Sequence, residues 1–200
     1  MRVLHVGASG LLGGAVSEAL EAEGDTVVRA SRSGAERVDL TVVESIGELY
    51  RRVGVVDAVV CTAGVTPFGR VGELSVDDYT SGITDKLLGQ VALVTLGLDA
   101  VSDRGSFTLT SGILSEDPIT TGSVAATVDG GVDAFVRGTA IELPRGLRIN
   151  SVSATVFEEA WADYGPFFPG FRPVPVAEAA RAFVRSVHGA QTGQTYRVGY

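Results

Sequence analysis

The chain holds one cysteine, one tryptophan, one methionine and two histidines among 200 residues, and among its sixteen basic residues only Lys86 is a lysine. A single thiol, Cys61, cannot close an internal disulfide, so a reducing compartment is compatible. Cys61 follows the apolar run Ala58-Val59-Val60 and reads as a buried structural thiol. Excess positive charge is also missing: the formal net charge of −8 argues against general nucleic-acid binding, which needs a basic face. A few arginines and one helix N-terminus can still hold a phosphorylated small ligand. The apolar runs are strand-length, so no membrane span fits, and the start "MRVLHVGASG" lacks the apolar core and cleavage site of a signal peptide. A cytoplasmic protein is the expectation.

What is present reads as a globular fold. Hydrophobic residues make up 45% and charged residues 20%, the 26 glycines follow no repeat, and no linker divides the chain. One domain spanning residues 1–200 is expected. Short β-branched runs alternate with helix-length segments. Strands are expected at Arg2–Val6, Thr26–Ala30, Asp57–Cys61, Ser106–Thr110, Arg148–Val152 and Thr195–Val198. Apolar spacing predicts helices over Leu11–Glu23, Val42–Val53, Ser75–Ala100, Ser123–Leu143 and Val176–His188. This alternation implies an α/β fold: a doubly wound, Rossmann-type parallel sheet with helices on both faces, three layers in all.

The turn "VGASGLLGG" after the first strand places Gly7, Gly10 and Gly13 at G-x-x-G-x-x-G spacing. Glycines there permit a tight turn and close approach of a pyrophosphate, and the following helix supplies amide donors. Gly7, Ser9, Gly10, Leu11, Leu12 and Gly13 are therefore dinucleotide-binding candidates. A cofactor without the extra phosphate usually meets a carboxylate after the second strand. Here the sequence is "RASRSG", with no carboxylate before Glu36. Arg32 with Ser33 suits a 2′-phosphate, so NADP(H) is preferred over NAD(H). The competing reading leaves Arg32 as a solvated loop arginine.

"VDAVVCTAG", "TSG", "AIELPRGLRINSVS" and "TGQTYRV" together resemble the short-chain dehydrogenase/reductase family over nearly the whole chain. The stretches "KLLGQVALVTLGL" and "LTSGILSEDPI" are similar to a divergent branch, the Lin1944-like proteins, which keeps the glycine turn but lacks the usual active-site residues. The resemblance implies cofactor contacts at Thr62, Ala63 and Gly64 in the "CTAG" turn and an adenine-contacting pair, Asp39 and Leu40. It also implies a homodimer or homotetramer. The family's serine matches Ser111; its tyrosine and lysine fall by count at Val124 and Val128; its asparagine aligns with Lys86. Valine neither donates nor tunes a proton, so ordinary family chemistry is not expected.

Ser111 and Lys86 are thus the catalytic candidates. Lys86 reads either as a proton-relay or anion-binding group, or as a cation pairing beside Asp85. Ser115, Thr127 and Tyr164 are weaker alternative donors, and His5 and His188 are not favoured. The segment 157–175 is rich in aromatics and carries Pro166, Pro169, Pro173 and Pro175; it reads either as a substrate-side loop or as packing. Two functions follow from different classes: an NADP(H)-dependent oxidoreductase of an unknown carbonyl or alcohol, or a catalytically silent dinucleotide-binding sensor or assembly module.

Overall fold

The computed structural model describes residues 1–200. Seven parallel strands form one sheet: β1 (Arg2–Val6), β2 (Thr26–Ser31), β3 (Glu36–Arg37), β4 (Val56–Cys61), β5 (Val101–Thr110), β6 (Arg148–Ala154) and β7 (Thr195–Val198). Their order is β3-β2-β1-β4-β5-β6-β7, a Rossmann-type sheet between two helical layers. The strand order reverses between β1 and β4, where successive crossovers leave on opposite faces. That arrangement opens a crevice at the carboxyl ends of the strands.

Helices α1 (Leu11–Ala22) and α7 (Val176–His188) cover one face. Val16 and Leu20 of α1 and Ala179, Phe183 and Val187 of α7 pack against Val3, Ala58, Val60 and Val152. Helices α2 (Val43–Val53), α3 (Val76–Gly82), α4 (Gly89–Gly97) and α5 (Ser123–Ala140) cover the other. There Ile46, Leu49, Leu93, Val132 and Val136 pack on Leu4, Val59, Phe107 and Ile149. Strand residues therefore alternate between two cores, which explains their nearly continuous apolar sequence. No helix is long and apolar enough to cross a membrane.

Two expectations change in detail. The two-residue strand β3 went unforeseen, being too short for a period of two to show. The helix expected over Ser75–Ala100 is not uniform: α3 (Val76–Gly82) widens into a π-helical turn over Ile83–Leu88 before α4 (Gly89–Gly97). Tertiary contacts hold this irregularity. Space for a β-carbon is blocked by Val124 at Gly82 and by Leu40 at Gly89. The segment 157–175 also gains local order, including the short helix α6 (Trp161–Tyr164) and a parallel bridge from Phe157 to Val174.

Phe183 is fully buried between α7 and the sheet. Phe183→Ala should cost about 3–5 kcal/mol, read as a lower urea midpoint with an unchanged m-value.

Candidate functional site

The cleft begins where α1 meets β1 without intervening side chains. A β-carbon on Gly13 would lie 2.0 Å from the Gly7 carbonyl oxygen, and one on Gly7 would lie 2.5 Å from the Ala63 amide nitrogen. Gly7 also has φ +92°, a conformation that L side chains rarely adopt. Gly10 caps α1 through its backbone and offers no side chain, leaving the first-turn amides of Leu11, Leu12 and Gly13 for an acceptor from outside the helix. Leu11 and Leu12 contribute amides only; neither side chain lines the cleft.

The cleft encloses about 310 Å³. Gly7, Ser9 and Gly10 line one stretch; Arg32, Ser33, Asp39 and Leu40 line another; Thr62, Ala63 and Gly64 form the third. Arg29 is engaged by Glu21 at 2.9 Å, and Glu36, the nearest carboxylate after β2, is held by Arg52 at 3.3 Å. Arg32 and Ser33 are exposed to the cleft instead. The Asp39 carboxylate accepts from the Thr41 hydroxyl and amide, which hold it below the usual aspartate range. It faces the cleft as a fixed anion.

Buried residues behind the cleft hold it in shape. His5, fully buried in β1, has Nδ1 2.8 Å from the Ser17 hydroxyl and Nε2 2.9 Å from the Thr62 hydroxyl. Thr62 in turn donates to the Gly7 carbonyl at 3.1 Å. One imidazole thus joins α1, β1 and the turn after β4. Burial, with a further contribution from Arg29, pushes its pKa down to about 3, so the ring is neutral at physiological pH. Cys61 is buried too, and burial pushes its thiol up to about 12, which leaves it an inert packing group.

Lys86, on the π-helical turn, does not line the cleft but packs directly behind Gly64, which does. Its stem passes so close to Gly64 (φ +131°) that a β-carbon there would sit 2.6 Å from Lys86 Cγ. The ammonium donates to Asp129 Oδ1 at 2.5 Å and to the Ser111 carbonyl at 3.4 Å. The Ser111 hydroxyl is buried and has no hydrogen-bond partner. Gln90 fixes this end of β5 by donating to the Thr110 carbonyl and accepting from the Thr110 amide. Thr110 also donates its hydroxyl to the Cys61 carbonyl. The end of β5 that leads into Ser111 is therefore tied to Gln90 and to β4.

Val124 and Val128 are wholly buried, and the side chain that α5 sets against Lys86 is Asp129, one residue beyond Val128. Ala125 and Asp129 form the helical stripe facing Ile113 and Gly112, whereas Val124 packs toward Gly82. The valines at the counted positions thus pack into the core, and the neighbouring Asp129 meets Lys86. Burial raises the Asp129 pKa, opposed by Lys86 and reinforced by Asp133. Asp133 accepts from Ser151 at 2.6 Å and Thr195 at 3.1 Å. Neither Asp129 nor Gln90 carried a sequence signal, because their role depends on which helix face meets β5.

The weaker candidates lie elsewhere. Thr127 is exposed and bonds back to the Ser123 carbonyl; Ser115 bonds to the Gly112 carbonyl. Tyr164 is half exposed and does not line the cleft. His188 binds Asp25 at the amino end of the sheet. A second cleft of about 370 Å³ adjoins the 157–175 segment, lined by Ile113, Thr155, Phe171, Arg172 and Tyr200 among others. The Thr155 hydroxyl there is buried without a partner.

Comparisons with known proteins extend over most of this framework. Residues 14–180 match the family model described as Enoyl-(Acyl carrier protein) reductase. L-xylulose reductase of Bos taurus is 29% identical over 185 residues, covering 81% of this chain and 76% of that protein. The structure of protein lin1944 from Listeria innocua has a TM-score of 0.97 at 49% identity, covering 98% of each chain. A small-chain dehydrogenase in complex with NADPH has a TM-score of 0.89 at 23% identity, covering 99% of this chain and 96% of that one. At that identity the likeness is one of fold.

His5 also makes the protein acid-sensitive. The folded state keeps the ring neutral, whereas the unfolded chain takes up a proton below about pH 6.5. Its contribution is therefore present above that value and falls as pH drops toward the folded pKa of about 3. His5→Gln should remove up to about 1.4 kcal/mol per pH unit of slope from unfolding free energies measured by urea across mildly acidic pH.

Proposed function

Because the chain belongs to the short-chain dehydrogenase/reductase family, we propose that it is an NADP(H)-dependent oxidoreductase acting on a carbonyl–alcohol pair through an altered active site. The observation that carries this reading is the Lys86 ammonium beside Ser111, its stem packed against Gly64 of a cleft suited to a dinucleotide. The cleft fits such a group because a β-carbon at Gly7 or Gly13 would collide with the backbone that shapes it. The α1 amides and Ser9 would hold the pyrophosphate; Asp39 and Leu40 would border the adenine; Thr62, Ala63 and Gly64 would line the nicotinamide half.

Preference for the 2′-phosphate rests on charge. Arg32 is available to the cleft, and the carboxylate that would favour a free ribose hydroxyl is drawn off by Arg52. When bound, the cofactor supplies or accepts hydride. The chain supplies the rest: the Ser111 hydroxyl orients the substrate oxygen, and the Lys86 ammonium gives it a proton in reduction. The likeness to the Enoyl-(Acyl carrier protein) reductase family model and to L-xylulose reductase favours that direction. The second cleft, with Thr155 and Arg172, is the substrate approach. A homodimer or homotetramer is the assembly proposed for the chain.

Fluorescence titration should show NADPH binding at least about tenfold more tightly than NADH, with Arg32→Ala removing the difference by weakening NADPH alone. Equal affinity in the unaltered protein would sink the cofactor preference. A panel of ketones, aldehydes and dicarbonyls tested with NADPH should reveal turnover. Lys86→Ala should reduce it by about a hundredfold or more while NADPH affinity holds. Tight NADPH binding with a silent panel would favour a dinucleotide sensor instead.

A further inference from the structure

Lys86–Asp129 is the ion pair in which both side chains are largely buried, at 14% and 3% exposure. The other pairs leave at least one partner a third or more exposed. Burying two charges at a helix–strand junction is a poor route to stability, since apolar residues of similar volume serve as well or better. The pair also stands where the helix widens into a π turn, an irregularity that often marks a functional site. In the family pattern, the cation belongs on the long helix. Here the cation comes from the π turn, and α5 supplies an anion instead.

We propose that Asp129 is the positioning residue of this site, its carboxylate clamping the Lys86 ammonium against Ser111 so that one N–H is left to meet the substrate oxygen. The geometry supports this division of labour. The ammonium has three protons, of which Asp129 Oδ1 and the Ser111 carbonyl take two. Gly64 guides the stem, leaving no room for a β-carbon beside it. Gly112 plays the same part for Asp129, since a β-carbon on it would lie 2.6 Å from Oδ2. Lysine has a long flexible stem, and without the clamp its ammonium has many positions to adopt.

The charged and titratable groups around the pair come from several elements. Asp129 and Asp133 lie on α5, Asp85 precedes Lys86 on its own turn, and Cys61 faces it from β4. Asp133 is engaged by Ser151 and Thr195, and the Asp85 carboxylate faces the Val65 amide at 3.4 Å. Asp129 is thus the carboxylate in direct contact with the ammonium.

This inference rests on the reductase reading for its kinetic consequence, but not for its physical one. Because Lys86 is the sole lysine, acylation by acetic anhydride, read by mass spectrometry of the peptide containing it, reports on this ammonium alone. In Asp129→Asn, Lys86 should acylate at least about tenfold faster than in the unaltered protein, with thermal unfolding showing an intact fold. Asp129→Glu should restore slow acylation, which a general loosening of the helix would not explain. With a turnover substrate, Asp129→Asn should lower kcat by about thirtyfold or more and leave NADPH affinity unchanged. Unaltered acylation in Asp129→Asn, or fast acylation in a folded Asp129→Glu protein, would overturn the proposal. If no carbonyl compound is turned over, the acylation comparison still decides the clamp, and the failure falls on the reductase reading alone.

Discussion

The contact on which the rest depends is the direct seating of α1 on β1. A helix can approach a strand this closely only where neither carries a side chain, and Gly13 against the Gly7 carbonyl meets that condition. The approach sets the angle of α1, and with it the direction of the amides at its N-terminus. It also brings the Gly7 turn against the Thr62–Ala63 backbone, closing the floor of the crevice. His5 reinforces the same junction from beneath, with neutral hydrogen bonds to Ser17 and Thr62. A charged ring there would have to be desolvated, so the junction works only while the imidazole stays unprotonated.

The second organising element is electrostatic. The proposed chemistry at Ser111 needs a proton carrier, and tyrosine is missing from α5. Lys86 reaches the same place from the opposite side, through a turn of π helix and a passage beside Gly64. Its charge is tolerated in a mostly buried position because Asp129 lies at 2.5 Å, and the Asp129 carboxylate is tolerated for the same reason. The two residues are meaningful only as a pair. Around them the scaffold is stiff: Gln90 fastens β5, Thr110 ties β5 to β4, and Ser151 with Thr195 holds Asp133 aside.

Much of the fold was legible because it rests on short-range rules. β1, β7 and α7 coincide with their expected bounds and most other elements lie within a few residues of them, whereas β5 starts at Val101, five residues before the expected Ser106. The glycine turn was legible because a G-x-x-G-x-x-G run between strand and helix has few other physical uses. Arg32 and Ser33 could be singled out by the lack of a carboxylate before Glu36. The engagement of Glu36 by Arg52, which strengthens that reading, could not.

The remainder depends on which faces meet. A linear count from Ser111 ends at Val124 and Val128, but helix rotation buries both and presents Asp129. A shift of one residue turns a helix position by about 100°, so such a count cannot tell a core valine from a carboxylate paired with a buried lysine. Nor could periodicity reveal the π turn, which is held by Gly82 against Val124 and Gly89 against Leu40, contacts distant in sequence. By itself the sequence determined a doubly wound sheet, a glycine turn between its first strand and helix, and a lone lysine. Only the tertiary structure decided which carboxylate that lysine meets, because the partner of a buried charge is set by packing across the fold rather than by spacing along it.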